Sequence, residues 1–565
     1  MVQTTQAPAT QEQSGLEKTL DQSCCINSTP PPTDSSASKK KKKKSKKSAV
    51  VPEINEYYTN TMKPYPVTLR ATKAKGRHAV ASEPLEEGTT VCLEKATGFV
   101  VRSAFIDQQC HICLDDLTTK MACSDCKLIY YCSQACVEKD TLHHRACSVL
   151  AQVPAIGRST DVDPDLLRLM VYLLAKRQEE KEGREGEDGM HATPYWCVDD
   201  LLSHKENASP AFIRVISDAA QRLLVEDPEL FESISVDDFV TLACKINSNA
   251  HGLGDNHGRN TDVALGLFPV GALFFNHSCN PNAAFVGLNK GRLVFRTIRH
   301  VQPDEEIAVS YIDLYASRDE RRQCKRCASP MDISVDRFLH GVVCTACAQD
   351  VYVIPPSSVE DISRGQTKLY STKDDEVWPC ANCASVATAK TVRETIKEAQ
   401  QKYMTGLNCI RKEKNYRRAR KEFEPLVFSQ KKPRTEPTLT PGELHPQDAI
   451  RFNASIPLMN CLRYENDLKC AVDVNRMILE FMEQQAKQQL PENTSEMADF
   501  WQNLGELCDS VAKDYGANGR LPLEKKWNKD ARSAFAQAAK IRAIVFGPDH
   551  PKTVIVKKYV NHSSV

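Results

Sequence analysis

The chain runs to 565 residues, too many for one hydrophobic core, so roughly three to five domains or subdomains are expected. Its 74 Lys and Arg against 73 Asp and Glu leave a formal charge of +1, which argues against a global field for nucleic acid or membrane and makes any basic patch a local feature. No window approaches the roughly 18 consecutive apolar residues needed to span a bilayer, and the opening MVQTTQAPATQEQSG lacks a basic-then-apolar signal peptide. A reducing compartment is therefore expected, in which the clustered pairs among the 23 cysteines read as metal ligands and not as disulfides.

Residues 1–63 read as a disordered basic tail, rich in Ser, Thr, Gln and Pro. Lys39 to Lys44 followed by Ser45-Lys46-Lys47 puts eight lysines in nine positions. That run reads either as a solvated tail or as a nuclear localisation signal or an arm touching nucleosomes or RNA. Further on, Lys75-Gly76-Arg77-His78-Ala79-Val80-Ala81 runs into Pro84-Leu85-Glu86-Glu87-Gly88-Thr89-Thr90-Val91, the pattern of a turn, an apolar strand and a second turn. Then comes Cys110-x2-Cys113-x9-Cys123-x2-Cys126-x5-Cys132-x3-Cys136, followed by His143, His144 and Cys147. Seven cysteines and one histidine within 38 residues make eight ligands, enough for two closed tetrahedral zinc sites. With Tyr130-Tyr131-Cys132-Ser133, the segment resembles a MYND zinc finger. The resemblance implies interleaved sites, with Cys110, Cys113, Cys132 and Cys136 on one zinc and Cys123, Cys126, His143 and Cys147 on the other. The spacing between Cys136 and Cys147 is one residue shorter than the family's, which keeps His144 as an alternative to His143. All positions being filled by protein, the role is structural, and metal binding supplies the folding energy of a segment too small for its own core.

Residues 148–245 read as a helical insert, broken by the charged Gln178-Glu179-Glu180-Lys181-Glu182-Gly183 as a solvated loop. The Gly- and Asn-rich His251–Thr261 separates Cys244-Lys245-Ile246-Asn247-Ser248 from Val263 to Pro269, which is expected as a strand. The apolar Val270 to Phe275 then leads, as the end of a buried strand, into Asn276-His277-Ser278-Cys279-Asn280-Pro281-Asn282. Polar groups held there without partners would cost a few kcal/mol, so they mark a site. Downstream stands Ile307-Ala308-Val309-Ser310-Tyr311-Ile312-Asp313. Together these two segments resemble the SET domain of protein lysine methyltransferases, and a SET domain interrupted by a MYND finger is the mark of the SMYD family.

The resemblance implies an α+β multidomain chain: a β-rich SET fold split by the finger and the helical insert, then a zinc-binding post-SET region and an all-α, TPR-like C-terminal domain. The corresponding segments are 64–109 and 246–320 for the SET parts, 110–147 for the finger, 321–385 for the Cys-rich region and 386–565 for the helices. S-adenosylmethionine is the implied cofactor, lying along Lys75, Gly76 and Arg77 and contacting Asn276, His277 and Asn247, the last on a strand that the resemblance implies at 244–248, with the Lys75 ammonium meeting its carboxylate. His78 departs from the family's glycine, and its side chain would crowd the cofactor or forbid a positive φ. Methyl transfer requires a lysine amine stripped of its proton, which a narrow apolar channel favours by desolvation. Tyr311 is the implied catalytic hydroxyl at the end of that channel. Tyr315 is the lesser candidate, and either ring could instead pack in a core.

In the family the cysteine at Cys279 joins a Cys-x-Cys-x2-Cys cluster. Here only Cys324 and Cys327 follow, and the preceding aromatic stretch and first cysteine are missing. A fourth ligand from Cys344 or Cys347, or an incomplete site, are the readings left open. Cys344-x2-Cys347 with Cys380-x2-Cys383 makes a further four-cysteine site. From Val392 the chain reads as helical, with Glu394–Arg411 and Tyr416–Phe428 as helices; Trp501-x2-Leu504-Gly505 echoes a tetratricopeptide opening and Phe546 to Pro551 an inter-helix turn. The implied function is an S-adenosylmethionine-dependent protein-lysine N-methyltransferase, a monomer of nucleus and cytoplasm, acting on a histone or another protein, with two zinc ions in the finger and one or two beyond. The alternative is a SET/MYND adaptor that binds proline-rich peptides. Nucleic acid through the lysine run is a further expected partner; a membrane is not.

Overall fold

The computed structural model describes residues 51–183, 192–254, 262–315, 337–355, 357, 373–428, 439–488 and 490–562. The lysine run, Cys324 and Cys327 lie outside the described residues. The chain divides into two units: one runs to Asn276 and takes in Phe285–Ile307, the other comprises His277–Ala284 and Ala308 onward.

The first unit opens with helix α1 (Glu56–Met62), capped by the Asn55 side chain, which accepts from the Tyr57 N–H. The hairpin of β1 (Val67–Thr72) and β2 (Gly76–Ala81) follows, paired antiparallel with Thr72 opposite Gly76. β3 (Thr90–Lys95) and β4 (Gly98–Val101) come next. The finger contributes β5 (Met121–Ala122), β6 (Tyr130–Tyr131) and helix α2 (Gln134–Lys139). Helices α3 (Thr141–Thr160), α4 (Pro164–Lys181), α5 (Trp196–Asp199), α6 (Pro210–Leu223) and α7 (Val236–Asn249) form the insert. They return the chain to β7 (Ala250–Gly254), β8 (Asp262–Leu267), helix α8 (Pro269–Phe274), β9 (Asn276–His277), β10 (Ala283–Leu288) and β11 (Arg292–Thr297). Two three-stranded sheets result, in the orders β10-β11-β3 and β4-β8-β7. Sequence-distant strands thus meet only because the finger and insert leave and rejoin the same sheets.

Three expectations fail here for identifiable reasons. The charged run does not break its helix before Lys181, because Gln, Glu and Lys propagate helices well and Lys176 pairs with Glu180 one turn on at 3.2 Å. Residues 244–248 are not a strand but the last turns of α7. That helix is nucleated by a capping box in which Ser235 and Asp238 satisfy each other's backbone N–H, and it buries Phe239, Val240, Ala243 and Cys244 on one face. Val270 to Phe274 are likewise helical, with Pro269 in the first turn.

That short helix rests on Glu94, a fully buried carboxylate on β3. Its oxygens accept from the Val270 and Gly271 N–H groups at 3.0 and 2.8 Å and from the Thr193 hydroxyl at 2.8 Å. Burial nevertheless pushes the Glu94 carboxyl up to about 7 from 4.5. Between those values the folded chain holds a proton that the unfolded chain releases, so its contribution to stability falls as pH rises through that window. Thermal unfolding near pH 5 and near pH 7 should show a slope that Glu94→Gln flattens, since an amide cannot titrate.

The second unit carries β12 (Ala308–Val309), the hairpin of β13 (Val377–Pro379) and β14 (Val386–Thr388), and seven helices among the described residues. These are α9 (Ala389–Arg411), α10 (Tyr416–Val427), α11 (Ala449–Tyr464), α12 (Leu468–Gln488), α13 (Ser495–Ala517), α14 (Leu521–Val545) and α15 (Pro551–His562). Successive helices pack on one another along the chain. Gly505 explains the Leu504-Gly505 signal: a Cβ there would sit 2.6 Å from the Phe535 ring, so only glycine lets α13 and α14 approach. The expected turn at 546–550 separates α14 from α15.

Candidate functional site

Within the first unit, the expected cofactor residues gather where the β1–β2 hairpin meets the strands. Gly76 adopts φ +69°, and a Cβ built on it would meet nothing within 4 Å. The backbone there is open to a ligand. The Asn276 amide donates to Glu306 Oε1 at 2.9 Å and to the Arg77 carbonyl at 3.2 Å, which uses both of its N–H groups and leaves Oδ1 to accept. Lys75 Nζ lies 2.7 Å from Glu306 Oε2. Burial acts to raise the Glu306 carboxyl, but the bonds from Lys75 and Asn276 outweigh it and hold the group below the usual carboxylate range. Arg77 is committed elsewhere, donating to the Asp200 carbonyl at 2.7 Å; Asp200 also accepts from the Tyr58 hydroxyl at 2.7 Å.

His78 does not strain the backbone. It is a buried strand residue opposite Arg70, with Nδ1 3.1 Å from the Gly76 carbonyl, and the positive φ falls at Gly76 two positions earlier. Asn247 is exposed on the last turn of α7, while Asn249 at the helix end donates to the Leu202 and Lys245 carbonyls. Glu306, the hub of the cluster, was missed: in sequence it reads as one more turn carboxylate after Asp304 and Glu305. The available signal was its place directly before the Ile307–Asp313 segment that carries β12 (Ala308–Val309).

Within the second unit, His277 Nδ1 accepts from the Tyr311 N–H at 2.9 Å, the two rings stand 5.4 Å apart, and His277 Nε2 lies 3.4 Å from Cys279 Sγ. Ser278 N–H donates to the Val309 carbonyl, and the Asn282 side chain accepts from the Ala308 N–H. The polar motif is therefore partnered by β12 and by the backbone of Tyr311 just after it. The expected apolar channel is not closed around Tyr311 by the described residues: its side chain is 55% exposed. Tyr315 is the core ring of the two, packed 5.7 Å from Phe452 with its hydroxyl 3.1 Å from Thr494 Oγ1.

Among the described residues, side chains that could ligate metal gather in three clusters: Cys110, Cys113, Cys132 and Cys136; Cys123, Cys126, His143 and Cys147; Cys344, Cys347, Cys380 and Cys383. Tetrahedral thiolates about 2.3 Å from zinc lie roughly 3.8 Å from one another. Cys113–Cys132 and Cys132–Cys136 are 3.6 Å apart, Cys123–Cys147 is 3.8 Å, and Cys344–Cys383 and Cys347–Cys380 are 3.7 Å. These separations fit zinc and are too long for disulfides. The finger's pairing is the interleaved one. His143 is the clustered histidine, with Nε2 3.2 Å from Cys123 Sγ, while exposed His144 turns to the Val137 carbonyl. Asp140 fixes that choice: its side chain caps α3 by accepting from the His143 N–H at 3.0 Å and takes the Tyr131 hydroxyl at 3.0 Å. Because Cys344 and Cys347 are joined to Cys380 and Cys383, neither serves as the fourth partner of Cys279. Zinc analysis should accordingly show one equivalent lost from His143→Ala and none from His144→Ala.

A SET domain family model matches residues 76–312, the span that runs from Gly76 and Arg77 through the finger to Asn276, Glu306 and Tyr311. The chain is 26% identical over 305 residues to a SET and MYND domain-containing protein of Dictyostelium discoideum, covering 49% of this chain and 52% of that one. It is also 26% identical over 274 residues to the mouse histone-lysine N-methyltransferase Smyd1, covering 46% and 53%. In both comparisons the chain spans about half the relative's length. Bovine N-lysine methyltransferase SMYD2 is 22% identical over 490 residues, 86% of this chain and 96% of that protein. The fold and the split arrangement define a SET-domain protein. Its arrangement of a SET domain with an inserted cysteine-rich segment is similar to that of the SET and MYND domain-containing relatives.

Proposed function

We propose that this chain is an S-adenosylmethionine-dependent protein-lysine N-methyltransferase. The observation that carries the reading is the Asn276 amide, whose two N–H groups are taken by Glu306 and the Arg77 carbonyl so that its oxygen is left to accept, together with the open backbone of Gly76, the residue before Arg77. Such an oxygen takes a donor, as an amino-acid ammonium or an adenine amine provides. Lys75 supplies the complementary cation; its pairing with Glu306 is partly exposed and so worth about 1 kcal/mol or less, which lets it turn to a ligand carboxylate. The bound cofactor supplies a methyl group activated on a sulfonium. His277 positions the Tyr311 backbone and is not a general base, and the Tyr311 hydroxyl orients the neutral substrate amine. Alignment and desolvation then account for most of the acceleration. A histone or another protein is the proposed substrate, and nucleus and cytoplasm the proposed compartments.

The test is methyl transfer from labelled cofactor to a histone and peptide mixture. Glu306→Ala should weaken cofactor binding about tenfold or more by freeing the Asn276 amide to rotate, a loss of about 1.4 kcal/mol. Unchanged affinity would remove Glu306 and Asn276 from the site.

A second reading has its own observation. Beside the finger lies a cavity of about 570 Å³, lined by Leu128 and Ile129 of the finger and Leu150 and Pro154 of α3. It supports an adaptor role in which an apolar, proline-rich peptide docks there. Binding of such a peptide by a Tyr311→Phe variant, with no methylation, would identify that role as separate from catalysis.

A further inference from the structure

The turn between α9 and α10 reads Arg411-Lys412-Glu413-Lys414-Asn415-Tyr416-Arg417-Arg418-Ala419-Arg420-Lys421, seven cations and one carboxylate in a chain whose net charge is +1. Pairing decides how much of that charge is available. Arg418 is spent on Glu413 at 2.9 Å. Arg420 is spent three times, on Glu424 and Glu465 at 2.8 Å and on Asp467 at 3.0 Å. Arg411, Lys412, Lys414, Arg417 and Lys421 remain, all exposed and with no carboxylate partner among the described residues. Arg417 and Lys421 stand one turn apart on α10 and so share a face.

The Arg420 clamp has a second consequence. Glu465 and Asp467 lie in the turn after α11, so the clamp holds the end of α11 against the start of α10. Tyr464, the last residue of α11, thereby stacks on Tyr416 with ring centroids 4.2 Å apart and planes 25° apart. One face of the Tyr464 ring is covered by Tyr416, yet its side chain is 71% exposed. An exposed aromatic platform bordered by unpaired cations has no role in packing. It suits a chain that alternates flat bases with phosphates, because bases stack on tyrosine while lysine and arginine take the backbone charge. An acidic peptide would use the cations and leave the stacked pair unexplained.

We propose that this surface, formed by the α9–α10 turn and the end of α11, binds single-stranded nucleic acid. The proposal uses neither the SET residues nor the lysines at 39–47, and it does not depend on methyltransferase activity.

The test is fluorescence anisotropy of the full chain with a labelled mixed-sequence single strand of about 12 nucleotides, as DNA and as RNA, across a salt series, with heparin and polyglutamate as base-free polyanions. The triple variant Lys414→Ser, Arg417→Ser, Lys421→Ser should lower the magnitude of the log–log salt slope by about 2, as loss of three phosphate contacts on a single strand requires. Tyr464→Ala should weaken oligonucleotide binding by about tenfold and leave heparin binding unchanged. A salt slope unaltered in the triple variant would overturn the proposal and place any binding elsewhere, the lysine run included. Equal weakening of heparin and oligonucleotide by Tyr464→Ala would overturn it too, as would polyglutamate binding as tightly as the oligonucleotide.

Discussion

Tyr311→Phe should leave the fold and cofactor affinity nearly unchanged while methyl transfer falls by two to three orders of magnitude, about 3–4 kcal/mol of lost transition-state stabilisation. The substitution removes one hydroxyl from a side chain that is 55% exposed, so no core contact is lost. What holds the residue in place is its backbone N–H, which donates to His277 Nδ1 and survives the change. Structural damage and chemical damage are therefore separable at this position. Tyr315→Phe makes the control: it removes a buried hydroxyl beside Thr494, and should cost about 1 kcal/mol of stability with little effect on turnover. Thermal unfolding and single-turnover kinetics on the two variants should give opposite patterns. Turnover unchanged in Tyr311→Phe would end its catalytic assignment.

Replacing a finger ligand should do the reverse. In Cys132→Ser one tetrahedral set loses a thiolate that stands 3.6 Å from both Cys113 and Cys136. The apolar complement around these cysteines is small, chiefly Ile106, Ile112, Leu117, Ile129 and Tyr131, and cannot hold the segment without metal. Zinc sites in such fingers supply about 10–16 kcal/mol of apparent binding free energy, so losing one ligand should unfold the finger. The damage should spread to the insert, because His143 stacks on Tyr172 of α4 at 6.5 Å and Tyr131 is fully buried. Expected results are loss of zinc, exposure to protease between residues 110 and 147, and poor solubility, before any specific kinetic change. A folded, soluble Cys132→Ser chain that keeps all its zinc would contradict the assignment of that cluster.

The finger was legible in the sequence because coordination fixes both residue type and spacing. The turn at Lys75-Gly76 and the apolar strand after it were legible for a related reason, because a turn residue marks the place where the backbone takes its positive φ; β1, the partner strand, was not read. Helix against strand was not legible at 244–248 or 270–274. Short apolar runs carry both periodicities, and the deciding groups were a capping box at Ser235 and a carboxylate on β3, 176 residues before the Val270 N–H it receives. Glu306 was invisible for the same kind of reason. Its importance lies in what folds against it, Lys75 and Asn276, and not in its neighbours in sequence. His78 misled because a side chain in a glycine position suggests a forbidden φ, whereas the positive φ falls at Gly76, where glycine takes it without strain.

The most direct measurement is a calorimetric titration of the zinc-loaded full chain with S-adenosylmethionine, repeated on Asn276→Ala. Saturable one-to-one binding that is lost or strongly weakened in the variant is the predicted result. Absence of heat at about millimolar cofactor, or equal affinity in both proteins, would contradict the proposal that this SET domain binds a methyl donor through Asn276.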